Sequence, residues 1–76
     1  MRSIVRSTGW VKWFNDLQGF GIIVDDNSGQ EIYVHHSALV SGKHPSLEEG
    51  DLVRFEAFES NKGFQACAVR LKGQIT

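Results

Sequence analysis

Apolar residues along this chain recur with a period close to two, and no window carries them at helical spacing over three turns. Between residues 53 and 58, Val53, Phe55 and Ala57 alternate with Arg54, Glu56 and Phe58. Between 66 and 71, Cys67, Val69 and Leu71 alternate with Ala66, Ala68 and Arg70. Such alternation puts one set of side chains on each face of a strand. The pattern predicts five strands: Trp10–Phe14, Phe20–Val24, Glu31–His35, Asp51–Phe58 and Phe64–Leu71. The clusters Asn15–Gly19, Asp25–Gly29 and Glu59–Gly63 are rich in turn residues and separate them. The longer segment Ser37–Gly50 has one expected helical turn at Ser37-Ala38-Leu39, with Ser37 as its cap.

Five short strands must bury one face and leave no raw edge, which a small closed or nearly closed barrel achieves. The inward set is Val53, Phe55, Ala57, Cys67, Val69 and Leu71, joined by Val11, Ile23, Ile32 and Val34. Cys67 reads as a small buried hydrophobe. The 76 residues give room for one domain. It is expected over residues 9–72, behind a flexible basic extension over residues 1–8 that carries Arg2 and Arg6. No apolar run approaches a membrane span and no signal peptide is recognisable, so the expected setting is cytoplasmic. The single cysteine, unable to form an internal disulfide, agrees with a reducing compartment.

If Ile23, Ile32 and Val34 point inward, Phe20, Ile22, Tyr33 and His35 point outward. Lys12 lies opposite Val11 by the same alternation. Trp13 breaks it, because an inward indole would overfill a small barrel. An outer patch of Trp13, Phe20, Ile22, Tyr33 and His35 beside Lys12 follows, and an exposed aromatic patch needs a reason. Every base offers a π-face, and stacking is worth ~1–3 kcal/mol per base, so such rings beside a cation suit unstacked, single-stranded nucleic acid. Lys12, Lys62, Arg2 and Arg6 are the candidates for phosphates. Net charge is −1, so affinity must come from charges sorted by face and not from bulk charge.

The motifs carry a family resemblance. Thr8-Gly9-Trp10-Val11-Lys12-Trp13-Phe14-Asn15 resembles the opening strand of the bacterial cold-shock proteins. Gln18-Gly19-Phe20-Gly21-Ile22-Ile23 is similar to that family's first ribonucleoprotein motif, Lys-Gly-Phe-Gly-Phe-Ile. Ile32-Tyr33-Val34-His35-His36 is similar to the second, Val-Phe-Val-His-Phe. Ser37-Ala38-Leu39 and Ser46-Leu47-Glu48-Glu49-Gly50 fit its later pattern, so the likeness runs from Gly9 to Leu71.

The resemblance implies an all-β, five-stranded antiparallel oligonucleotide-binding (OB-fold) barrel. It also implies binding of single-stranded RNA or DNA, with a role as an RNA chaperone or as a regulator of transcription or translation. Carried over by position, the implied contacts are Lys12, Trp13, Phe14, Phe20, Ile22, Tyr33, His35, His36, His44, Lys62 and Phe64. Phe14 reads equally as a packing residue. This chain departs from the family pattern at several points. Gln18 stands for a lysine, Ile22 for an aromatic, His36 for a phenylalanine and Phe64 for a proline, and Trp10 is an addition. Weaker binding than is usual for the family is expected, partly offset by Phe64 and Trp10.

No catalytic or cofactor motif accompanies these residues. Asp25-Asp26 and Glu48, Glu49 and Asp51 read as solvated turn charges, and Gln18-Gly19-Phe20-Gly21 is too short for a dinucleotide loop. His35, His36, His44 and Cys67 are not expected to hold a metal, because His35 and His36 should point to opposite faces and Cys67 inward. No enzyme activity and no cofactor are therefore expected. A monomer is expected, with Ser37–Gly50 the hinge if strands were exchanged between two copies. The rival reading is a small barrel whose aromatic patch binds a partner protein.

Overall fold

A computed structural model describes residues 4–40, 47–61 and 63–72. Its strands are β1 (Ile4–Asn15), β2 (Phe20–Asp25), β3 (Glu31–His35), β4 (Leu52–Ser60), β5 (Gly63–Ala66) and β6 (Arg70–Leu71). They form one sheet in the order β1-β2-β3-β5-β4-β6, and a further β1–β4 pairing closes it into a barrel. β5 and β6 are the two halves of the expected fifth strand. Pairing is antiparallel except between β3 and β5, which meet in parallel at Tyr33 and Gln65, so the expected all-antiparallel barrel is mixed at this seam.

Closure depends on β1 being long. Its first half pairs with β4, from Ile4 opposite Phe58 to Trp10 opposite Leu52. Its second half pairs with β2, from Gly9 opposite Asp25 to Asn15 opposite Phe20. The strand thus begins upstream of the expected Trp10, and Ile4–Thr8, read from the sequence as part of a flexible extension, are paired backbone.

The core is Val11, Ile23, Ile32, Val34, Leu47, Val53, Phe55, Ala57, Ala66 and Val69. Burying each large aliphatic side chain of this set contributes ~1.5–3 kcal/mol. The alternation placed most of them, but not Leu47 or Ala66, and it placed Cys67 wrongly. Cys67 is exposed. The Cys67 N–H donates to Glu56 O, and the Glu56 N–H donates to Ala68 O, so two residues stand opposite one. This is a β-bulge, and it shifts the inward phase from Cys67 to Ala66 on one side while leaving Val69 inward on the other. Though Cys67 is exposed, its thiol is pushed up from the usual range by desolvation from the adjoining wall and then by the nearby Glu56 carboxylate.

The turns form as their composition suggests. Asn15 Oδ1 accepts from the Gln18 N–H at 3.0 Å, and Asn15 O accepts from the Gly19 N–H. Asp25 Oδ2 accepts from both the backbone N–H and the hydroxyl of Ser28, and the Ser7 hydroxyl donates to the other oxygen. These donors favour the charged carboxylate. Partial burial alone would raise the pKa of Asp25, but the Ser28 and Ser7 hydrogen bonds outweigh it and hold the carboxyl below its usual range. The expected helical turn is a 3-10 helix over His36–Ala38, and its cap is His35, not Ser37: His35 Nδ1 accepts from the Ser37 N–H at 3.2 Å. Among the described residues no helix is long and apolar enough to cross a membrane.

Candidate nucleic-acid interface

A second bulge aims the aromatic face. Val11 pairs with Ile23, but the next pair is Trp13 with Ile22, so Lys12 is an extra residue in β1. The phase of β1 therefore flips: Val11 is fully buried, and Trp13, two residues on, is 40% exposed. This is the physical reason that Trp13 departs from strict alternation. It also turns Phe14 toward the core, against which its half-buried ring packs. Phe14 is thus on the inner side of the ladder and not in the outer row.

Register does the rest. Trp13, Ile22 and Tyr33 stand side by side across β1, β2 and β3, and Asn15, Phe20 and His35 form the neighbouring row. The Phe20 ring is 5.7 Å from that of Trp13, edge-on at 74°, and 6.0 Å from that of Tyr33, near-parallel at 27°. Three rings thus make one continuous strip with Phe20 at its centre. Gly21 permits it: a Cβ there would lie 2.3 Å from Trp13 O and 2.7 Å from Phe14 Cδ1, so no other residue lets β1 approach β2 this closely.

His35 and His36 extend the strip. Their ring centroids are 4.4 Å apart, which corrects the expectation of opposite faces. β3 ends at His35 and the 3-10 helix starts at His36, so strand alternation does not apply between them. Gly19, at φ 78°, lies under the His36 ring, where a Cβ would come within 2.5 Å of Cδ2. Among the described residues no group of three or more His, Cys, Asp or Glu side chains is placed to hold a metal ion.

Beyond Tyr33 the strip borders a concavity of ≈ 760 Å³, whose lining includes the apolar Ile22, Tyr33 and Phe64 and the polar Gln30, Glu31 and Asn61. Phe64 is half-buried, packed partly on the core and partly facing this space. Its polar lining is where sequence reasoning fell short. Glu31 marked only the start of a strand, and nothing in the alternation ties it to Lys12. In the structure the Lys12 ammonium reaches across β2 to the Glu31 carboxylate at 2.5 Å, with both side chains about half exposed.

The structure thus brings together Lys12, Trp13, Phe20, Ile22, Tyr33, His35, His36 and Phe64, and places Phe14 behind them. Arg6 lies elsewhere, on the β1–β4 wall, paired with Glu56 at 3.1 Å. His44, Lys62 and Arg2 lie outside the described residues.

Among the described residues the face offers flat, partly exposed rings at spacings suited to stacking, amide and carboxylate groups for base edges, and the Lys12 cation. Comparisons with known proteins agree. The model of the "cold-shock" DNA-binding domain matches residues 7–72. The chain is 47% identical over 64 residues to the cold shock-like protein CspA of Stigmatella aurantiaca, covering 84% of this chain and 94% of that relative. It is 47% identical over 66 residues to the cold shock protein CapB of Pseudomonas syringae, covering 87% and 94%. It is 44% identical over 63 residues to the cold shock-like protein CspG of Shewanella violacea, covering 83% and 90%.

Proposed function

The chain belongs to the cold-shock DNA-binding domain family, and from that premise we propose that it binds single-stranded RNA or DNA by stacking bases on Trp13, Phe20 and Tyr33. The observation that carries the reading is the unbroken ring strip, with Phe20 within 6.0 Å of both neighbours. Successive bases lie on Trp13, Phe20 and Tyr33, and His35, His36 and Phe64 bound the track. Ile22 gives an apolar floor between two rings and Lys12 meets a phosphate. His44 and Lys62 belong to the same interface by their place in the family motifs. Phe14 supports Trp13 from behind.

A duplex keeps its bases stacked inside, so only an unpaired strand can use these rings. A protein that holds single strands without reading much sequence lowers the population of weak base-paired structure. This supports a role as an RNA chaperone or a regulator of transcription or translation in the cytoplasm. It acts by binding, as a monomer, and not by catalysis.

Tryptophan emission during titration with an oligothymidine, against a duplex control, tests this. Quenching by the single strand alone is expected, and Phe20→Ala should weaken it by ~1–3 kcal/mol, the value of one stacked base. No response to single strands from a folded protein would overturn the reading and favour an aromatic patch that docks a partner protein.

A further inference from the structure

The barrel wall away from the ring strip carries a second, unassigned concentration of charge. On its outer side Thr8 stands opposite Arg54, and Arg54 stands opposite Arg70, so two guanidiniums face outward as direct cross-strand neighbours. Like charges in that position oppose folding. Among the described residues neither Arg54 nor Arg70 has an ion-pair partner; Glu56 is taken by Arg6, and the Asp25 and Asp26 carboxylates accept from the Ser7 and Thr8 hydroxyls at the edge of this wall. The three arginines line one shallow groove of ≈ 530 Å³ together with Ser7, Thr8, Phe55, Glu56 and Ala68. In a chain of net charge −1, two neighbouring guanidiniums without an ion pair are a sorted feature.

Trp10 links this wall to the ring strip. It stands opposite Val24 of β2 on one side and Leu52 of β4 on the other, with 40% of its surface exposed. Val24 is two residues from Ile22 in the strip, and Leu52 is two residues from Arg54. From Trp13 to Thr8 along β1 is about 16 Å at ~3.3 Å per residue. Within the ring strip the Lys12 ammonium is already in contact with Glu31.

We propose that Arg54, Arg70 and Arg6, with Trp10 leading to them, form a second phosphate-binding surface that holds the backbone of a single strand running on past the ring strip. Guanidiniums suit it, since each presents paired donors to phosphate oxygens. An incoming phosphate also removes the Arg54–Arg70 repulsion. Short strands fill the ring strip alone, and longer ones engage the arginines too. This rests on single strands binding at the ring strip.

The test is a salt-dependent titration of the full chain with oligothymidines of about 6 and about 16 nucleotides, within the range of OB-fold site sizes. The double variant Arg54→Gln/Arg70→Gln should leave the shorter oligomer unaffected. For the longer one it should weaken binding and flatten the log–log salt slope by about 1.4, at about 0.7 per lost phosphate contact. In Trp13→Phe protein, where Trp10 is the remaining tryptophan, the longer oligomer should quench emission more than the shorter. An unchanged slope and affinity for the longer oligomer in the double variant would overturn the proposal. So would arginine-dependent binding of polyglutamate with oligonucleotide binding unaltered, which would assign the wall to an acidic protein partner. Failure of both oligomers to bind the unmodified protein would instead remove the ring-strip reading on which the proposal rests.

Discussion

The ammonium of Lys12 and the carboxylate of Glu31, from strands that do not pair with each other, meet at 2.5 Å across β2. The pair adds little to stability, because both groups are about half exposed and such pairs are worth ~0–1 kcal/mol. Its consequence is for binding. On the proposed reading, a phosphate draws Lys12 away from Glu31. Replacing Glu31 by Gln should therefore raise affinity for oligothymidine by up to about fivefold, the equivalent of ~1 kcal/mol. The salt slope should steepen by up to about 0.7. Titration at two salt concentrations checks both, and an unaltered affinity would mean that Lys12 is not a phosphate contact.

Phe14 and Phe20 are separated by their packing. Phe14 packs on the core from β1, whereas Phe20 stands between Trp13 and Tyr33 on the outer face. Phe14→Ala should cost stability, up to ~3 kcal/mol, the lower end for phenylalanine truncation in a core because the ring is half-buried. Phe20→Ala should cost little stability but a large part of the affinity. Chemical denaturation beside oligonucleotide titration distinguishes them. A stable Phe14→Ala protein that fails to bind would place Phe14 in the interface itself.

Gly21 sits at a close approach of β1 and β2, with no room for a methyl group beside Trp13 O and Phe14. Gly21→Ala should destabilise the barrel by ~1–3 kcal/mol, as overpacking does. It should also weaken binding, because the displaced segment carries Trp13. Melting temperature and titration together test this, and a loss of stability with full affinity would show that Trp13 is positioned independently of the β1–β2 approach.

Asp25 gives the fold an acid-sensitive turn. Burial opposes its charge, yet the Ser28 and Ser7 hydrogen bonds hold its pKa below the usual 3.8. A group whose pKa is lowered on folding stabilises the fold fully above its unfolded value, and that contribution fades as pH falls through the folded value. Melting temperature should therefore drop more steeply from about pH 5 to about pH 2.5 in the unmodified protein than in Asp25→Asn. Parallel profiles would show that the turn's hydrogen bonds do not discriminate between the two protonation states.

Alternation by itself established the strands, the barrel and most of the core. A period of two has one reading for a half-buried strand, so Val53, Phe55 and Ala57 could only face inward once Arg54 and Glu56 faced out. The same rule found Phe20, Ile22 and Tyr33, which lie on uninterrupted strands, and the motif spacing identified the family. The rule fails where a residue is inserted into a ladder. At Cys67–Ala68 the bulge reversed the expected face of Cys67, and at the end of β3 the turn into a 3-10 helix brought His35 and His36 together. Next to Lys12 the size of the Trp13 indole signals a break in alternation, but the bulge that causes it is visible only in pairing register. Contacts between side chains on different strands were decided by strand pairing in the folded sheet. Lys12 on Glu31, Arg54 beside Arg70 and Trp10 between two strands follow from which ladders meet and at what register. Local sequence sets the face a side chain takes, and closure of the sheet sets its neighbours.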